Sequence, residues 1–199
     1  MRRIAMFGGT FNPPHVGHVA AARACVQQLA LNKLIVMPTN IPPHKILPEG
    51  SATPQQRLEM AAIAASLIPM AEVSALEIER KGASYTFETV RTLKSLYPDS
   101  TLWLVVGTDM LATFDHWRRP EDIVACARLA AVARSDEDRA FIERRAKELR
   151  RSLDAQVDIV YNRAVEVSST DFRSGKAPNL VPSDVLRYIR AHGLYGYGE

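Results

Sequence analysis

Residues 8–18 read Gly8-Gly9-Thr10-Phe11-Asn12-Pro13-Pro14-His15-Val16-Gly17-His18. They join a short apolar run, Ile4-Ala5-Met6-Phe7, to a segment that reads as a helix, Val16 to Leu31. A plain strand-to-helix joint needs a tight turn and a cap, whereas this one also carries two prolines and two histidines. Gly8 and Gly9 let backbone N–H groups approach a ligand with no Cβ in the way. His15 and His18 stand three apart across the helix start, so both can point past its N-terminus. That end carries unpaired donors and partial positive charge, which suits phosphate. Imidazole adds a donor that can be neutral or charged near pH 7. The stretch lacks the Gly-Lys-Ser/Thr of a Walker loop and the Gly-x-Gly-x-x-Gly of a dinucleotide fingerprint. Two other readings stay open here: zinc ligation, which needs further ligands and would have to recruit His44, and simple capping of the helix.

Outward from this joint the chain alternates strand and helix. Ile4–Phe7, Lys33–Met37, Thr101–Val106, Leu129–Ala133 and Val157–Tyr161 read as strands, and Glu72–Glu79 as a strand pair or extended segment. Val19, Ala22, Val26 and Leu29 mark one face of the first helix. Thr53 caps a second helix with Pro54 in its first turn and Gln56 completing a capping box, and Leu58, Ala61, Ala62 and Ala65 face one side. Tyr85–Tyr97 is a helix ended by Pro98, and Ser183–His192 a last one closed by Gly193. Continuous apolar strands separated by helices predict an α/β fold: a doubly wound parallel sheet, Rossmann-like, over one domain spanning residues 1–199.

In such sheets ligands bind beyond the carboxyl ends of the strands, where strand order reverses. Polar residues collect there. Pro38-Thr39-Asn40-Ile41-Pro42-Pro43-His44-Lys45 follows the second strand, Gly107-Thr108-Asp109 follows Thr101–Val106, and Arg134 follows Leu129–Ala133. Ser168-Ser169-Thr170-Asp171-Phe172-Arg173 comes near the end. Alone, Asp109 could cap the helical Met110–Phe114 segment, Ser169 or Thr170 could cap a short helix, and Arg173 could be a surface charge. Their recurrence on one edge argues for a ligand.

The bulk numbers narrow the class. The 199 residues are 47% hydrophobic and 24% charged, with a net charge of +3, too weak a balance to argue for nucleic acid. The pI near 9.0 suits a small anionic substrate. No apolar run approaches the ~18 residues of a membrane span. Four apolar residues after Met1-Arg2-Arg3 are too few for a signal peptide, so a cytoplasmic location is expected. Cys25 and Cys126 read as two buried free thiols. The segment Arg134–Arg151 mixes seven basic with five acidic residues and reads as a solvated helix face.

The opening stretch resembles the Gly-x-Phe-x-Pro-x-His-x-Gly-His signature of the nucleotidylyltransferase superfamily, and SSTDFR its second signature, Ser-Ser/Thr-Thr-x-Ile-Arg. PTNIPPHK, SYT, GTDMLATFDHW and VAR are similar to bacterial nicotinate-nucleotide adenylyltransferase, so the likeness covers essentially the whole chain. Asn12 stands where many members have Asp, leaving one less charge near a magnesium ion, and Phe172 stands where the second signature usually has Ile. The resemblance implies transfer of AMP from ATP to nicotinic acid mononucleotide, giving nicotinic acid adenine dinucleotide and pyrophosphate in NAD biosynthesis. By matching position, Gly8, Gly9, Thr10, Phe11, His15, His18, Gly107, Ser169, Thr170 and Arg173 would bind ATP. His15, His18, Lys45 and Arg173 would act on the reacting phosphates. His44, Lys45, Thr86, Asp109, Trp117 and Arg134 would meet the mononucleotide, with Trp117 stacked on the ring and the Thr86 N–H on the ring carboxylate. Magnesium would be held mainly by the ATP phosphates.

The substrate's own phosphate is already an anionic nucleophile, so no general base or covalent intermediate is needed, and the chain shows no triad or nucleophile elbow. Positioning and charge stabilisation suffice. Within the superfamily, an acceptor with an amide in place of the carboxylate stays open; Trp117 and the Pro42–Lys45 loop argue against phosphopantetheine and glycerol phosphate. A non-catalytic nucleotide-binding protein would be expected to have lost one of the two phosphate signatures. Oligomeric state stays open, a homo-oligomer included.

Overall fold

The computed structural model describes residues 1–42, 46–162, 167–175 and 178–198. Six strands, β1 (Arg2–Gly9), β2 (Lys33–Pro38), β3 (Ala71–Val73), β4 (Ser100–Gly107), β5 (Arg128–Ala133) and β6 (Val157–Tyr161), form one sheet. Their order is β3-β2-β1-β4-β5-β6, and every pairing is parallel. The chain walks outward from β1 through β2 to β3, then returns to the other side of β1 and walks out through β4, β5 and β6. The reversal lies between β1 and β4.

Alternation along the strands builds two cores. Ala5, Leu34, Val36, Trp103, Val105, Ala130, Val132 and Val160 belong to one core, with α1 (Val16–Gln28), α2 (Pro54–Ala65) and α9 (Ser183–Ala191). Ile4, Met6, Ile35, Met37, Leu102, Leu104, Val106, Leu129 and Ala131 belong to the other. That face is covered by α4 (Thr86–Leu96), α5 (Thr108–Ala112), α6 (Pro120–Cys126) and α7 (Asp136–Leu153). Burial on both faces is why the strands lack polar alternation. Two short helices complete the set, α3 (Leu76–Glu79) and α8 (Ser169–Arg173). No helix among the described residues is long and apolar enough to cross a membrane.

Four local expectations need correction. The 72–79 segment is not a strand pair: β3 stops at Val73, the Ser74 N–H makes the last ladder bond to the Val36 carbonyl, and α3 follows. The first helix ends at Gln28, since Ala30 turns left-handed (φ 45°) and closes it without a glycine. On α2 the buried face is Arg57, Met60, Ala61, Ala64 and Ala65, and Ala62 is exposed. Cys25 is buried as expected, but Cys126 is only partly so.

Candidate active site

His15 is the N-cap of α1 and His18 its third residue, and the two form a reciprocal capping box. The His18 backbone N–H donates to His15 Nδ1 at 3.3 Å, and the His15 N–H donates to His18 Nδ1 at 3.1 Å. The rings stack with centroids 3.5 Å apart, and the Phe11 ring stands edge-on to His18 at 5.1 Å. Burial pushes the His15 imidazole down to about 4, helped by the Arg134 charge. Burial, then His15, then Arg134 hold His18 well below its ordinary value. Both rings are therefore neutral at pH 7, and a ring whose Nδ1 accepts carries its proton on Nε2. Each histidine presents one fixed Nε2–H donor. The capping reading is correct, and it leaves the phosphate-donor reading standing.

The loop that delivers the pair is fastened from four sides. Arg57, fully buried on α2, donates through Nη1 to the Thr10 and Thr39 carbonyls at 2.8 and 2.6 Å and through Nη2 to Asn40 at 2.8 Å. Ser169 Oγ donates to the Pro13 carbonyl at 2.8 Å. Arg173 donates to the Asn12 carbonyl at 2.6 Å and to Thr170 Oγ1 at 3.1 Å. The Tyr195 hydroxyl donates to Asn12 Oδ1 at 2.7 Å. The second signature, α8 with Ser168 as its N-cap, thus packs directly on the first. Gly17 permits this approach: a Cβ there would lie 2.9 Å from Val167 Cγ1.

Beside the loop a cavity of about 200 Å³ opens across the β1/β4 reversal. Gly8, Gly9, Thr10 and Thr39 line one side, and Tyr85, Thr86, Trp117 and Arg118 the other. Thr86 begins α4, whose N-cap Tyr85 gives no side-chain bond, so the first N–H groups of that helix are free of a cap. Glu77 forms part of the wall, its carboxyl raised by burial and accepting the Thr89 hydroxyl at 2.8 Å. Gly107 ends β4, and Asp109 Oδ1 lies 2.8 Å from where a Cβ on it would be, so the Asp109 carboxylate folds back over the glycine. Asp109 itself is exposed and does not line the cavity. Arg134, expected on the mononucleotide side, is not in that wall either; its charge bears on His15 and His18. His44 and Lys45 lie outside the described residues. Arg57, Glu77, Arg118 and Tyr195 were missed from sequence. For Arg57 a signal existed, a charge set on the apolar stripe of α2.

Residues 6–175 match the cytidylyltransferase-like family model. A Symbiobacterium thermophilum protein named "Probable nicotinate-nucleotide adenylyltransferase" is 37% identical, over 100% of this chain and 98% of its own. One of the same name from Carboxydothermus hydrogenoformans is 36% identical, over 97% and 98%. The chain belongs to the nicotinate-nucleotide adenylyltransferase family. Among solved structures, Plasmodium falciparum nicotinic acid mononucleotide adenylyltransferase complexed with NaAD shares the fold, with a TM-score of 0.78 at 16% identity, covering 100% of this chain and 99% of that one.

The two departures from the superfamily signatures have structural explanations in this chain. Asn12 is buried, its amide donating to Ser51 Oγ at 2.9 Å and its carbonyl oxygen accepting from Tyr195 and the Ala52 N–H. It is turned into the loop's own fastening. Phe172 is fully buried, stacked on Tyr197 at 4.8 Å and edge-on to Tyr195 at 6.1 Å, a setting that a flat ring fills.

Proposed function

We propose that the protein transfers the adenylyl group of ATP to nicotinic acid mononucleotide, giving nicotinic acid adenine dinucleotide and pyrophosphate. The observation that carries this reading is the His15–His18 pair, with two Nε2–H donors at the start of α1, beside an aromatic cavity that opens at the sheet's reversal. A phosphate oxygen of the mononucleotide attacks the α-phosphorus in line. The bond to the β-phosphate oxygen breaks and pyrophosphate leaves with its electron pair. No proton need be removed from the nucleophile. The protein's part is to hold two anions together and to stabilise charge on the leaving group.

In this reading Gly8, Gly9, Thr10 and Phe11 flank ATP, and His15 and His18 donate to its phosphates. Ser169, Thr170 and Arg173, on the turn that packs against the loop, hold the leaving end. His44 and Lys45 reach the phosphates from their own loop. Trp117 stacks on the pyridine ring, the Thr86 N–H meets its carboxylate, and Asp109 reaches the ribose. Arg134 is better assigned to the phosphates, since its charge already acts on both histidines. Among the described residues no group of three or more His, Cys, Asp or Glu is placed to hold a metal. In this reading magnesium arrives with the ATP substrate, carried mainly by its phosphates and water. Residues 1–199 are read as one domain, because the site draws on both ends of the chain, and a cytoplasmic location suits an enzyme that uses ATP.

The test is pyrophosphate release with ATP and magnesium, comparing nicotinic acid mononucleotide with its amide twin at equal concentration. Strong preference for the acid is expected. Release with neither would sink the proposal, and preference for the amide would overturn the substrate.

A further inference from the structure

Two arginines follow Trp117, and the fold employs them differently. Arg119 takes a left-handed conformation (φ 55°) at the start of α6. Its Nε lies 2.7 Å from Asp122 Oδ2, in an ion pair. Arg118, just before that turn, lines the cavity, and its guanidinium lies 4.3 Å over the Tyr85 ring. Arg118 has no ion pair or hydrogen bond among the described residues, and it is the one cation among those lining the cavity. Tyr85 is the residue from which α4 starts, so the charge stands beside the uncapped N–H groups of Thr86 and Phe87.

Those N–H groups already favour an anion, since a helix start carries partial positive charge and an amide's NH2 cannot accept from them. Their charge is fractional. A full positive charge beside them widens the discrimination, because only the acid carries the opposite charge. Stacking on Tyr85 restricts the guanidinium before any ligand arrives, which lowers the ordering cost of the contact. We infer that Arg118 is a specificity-determining residue, reading the anionic substituent on the pyridine ring and favouring the acid over its uncharged twin. This rests on the adenylyl acceptor proposed above.

Arg118 is exposed on its outer side, so its pull is screened and the effect is tens, not thousands. The experiment measures kcat and KM for the acid and the amide mononucleotide, at saturating ATP and at low and high salt, in the full-length protein and in Arg118→Gln and Arg118→Lys. Arg118→Gln is expected to raise KM for the acid about tenfold. The KM for the amide should stay within about twofold. Arg118→Lys should recover part of the loss. Added salt should shrink the wild-type preference more than that of Arg118→Gln. Equal losses for acid and amide would mean that Arg118 reads the shared phosphate or merely props Tyr85, and would overturn the inference. So would an unchanged preference in Arg118→Gln while the wild type prefers the acid, which leaves the proposed function intact. A wild type that turns over neither compound, or prefers the amide, overturns both.

Discussion

His15 and His18 cap one another, each Nδ1 accepting the other's backbone N–H, with the two rings 3.5 Å apart. The arrangement merges two roles that the sequence presents as alternatives. The cap consumes one nitrogen of each ring and fixes the tautomer, so the other nitrogen becomes a donor of known direction. Preorganised donors cost no reorientation when charge develops on the phosphates.

The two roles can be separated by substitution. His18→Ala should lower kcat about a hundredfold or more, the loss of one preorganised donor. His15→Asn should behave differently, because asparagine caps well while placing no donor where Nε2–H stood. Its thermal midpoint should stay within a few degrees of wild type while turnover falls. A His15→Asn protein with wild-type kcat would leave His15 as a cap alone.

The same burial predicts a pH dependence of stability. The His15 pKa falls from 6.5 unfolded to about 4 folded, so between those values the unfolded chain binds a proton that the folded one refuses. The contribution is fully present above about pH 6.5 and is lost as pH falls through 4, to the extent of about 3 kcal/mol. Carboxylates titrate in the same range, so the informative quantity is the difference between wild type and His15→Asn. That difference should be flat above pH 7 and change steadily below it. Nitrogen shifts of the rings should report neutral Nε2–H tautomers at pH 7.

What the sequence reveals and conceals follows from locality. Five of the strands are legible because each is a run of apolar residues long enough to stand out. β3 has three residues and is defined by its partner, not by its composition. The end of α1 is concealed because Ala30, with no glycine signal, adopts the left-handed turn. The buried side of α2 is misjudged because alanines surround that helix and do not mark a face. In the site, glycines and histidines within one loop can be read directly. Tyr195 meets Asn12 across 183 residues, and no local pattern announces such a contact.

Arg57 makes a sharper test of the loop's fastening. Its guanidinium donates to three carbonyls on two loops, and burial holds its pKa below the ordinary arginine value. Arg57→Leu should destabilise the fold by about 3 kcal/mol or more, since three buried acceptors lose their donor. Arg57→Lys should rescue little, because an ammonium cannot span the planar fork. Chemical denaturation of both variants checks this, and full rescue by lysine would show that charge alone was needed.

The last fastening lies near the carboxyl end. Tyr195 donates to Asn12 Oδ1 at 2.7 Å, and Arg173 grips the Asn12 carbonyl at 2.6 Å, so one residue ties the final turn to both phosphate signatures. Burial pushes the Tyr195 phenol far above its ordinary value, so it remains a donor at any working pH. Tyr195→Phe should cost about 1 kcal/mol, since Asn12 Oδ1 keeps the Ala52 N–H. It should lower kcat a few-fold through the loosened Asn12–Arg173 contact while leaving the mononucleotide KM unchanged. Removing residues 194–199 should do much more. Phe172 would then lose both the Tyr197 ring stacked on it and the Tyr195 ring at its edge, exposing a buried side chain beneath α8. If the truncated protein matched Tyr195→Phe in both stability and kcat, the hydroxyl alone would account for the tail's effect and the aromatic packing would add nothing.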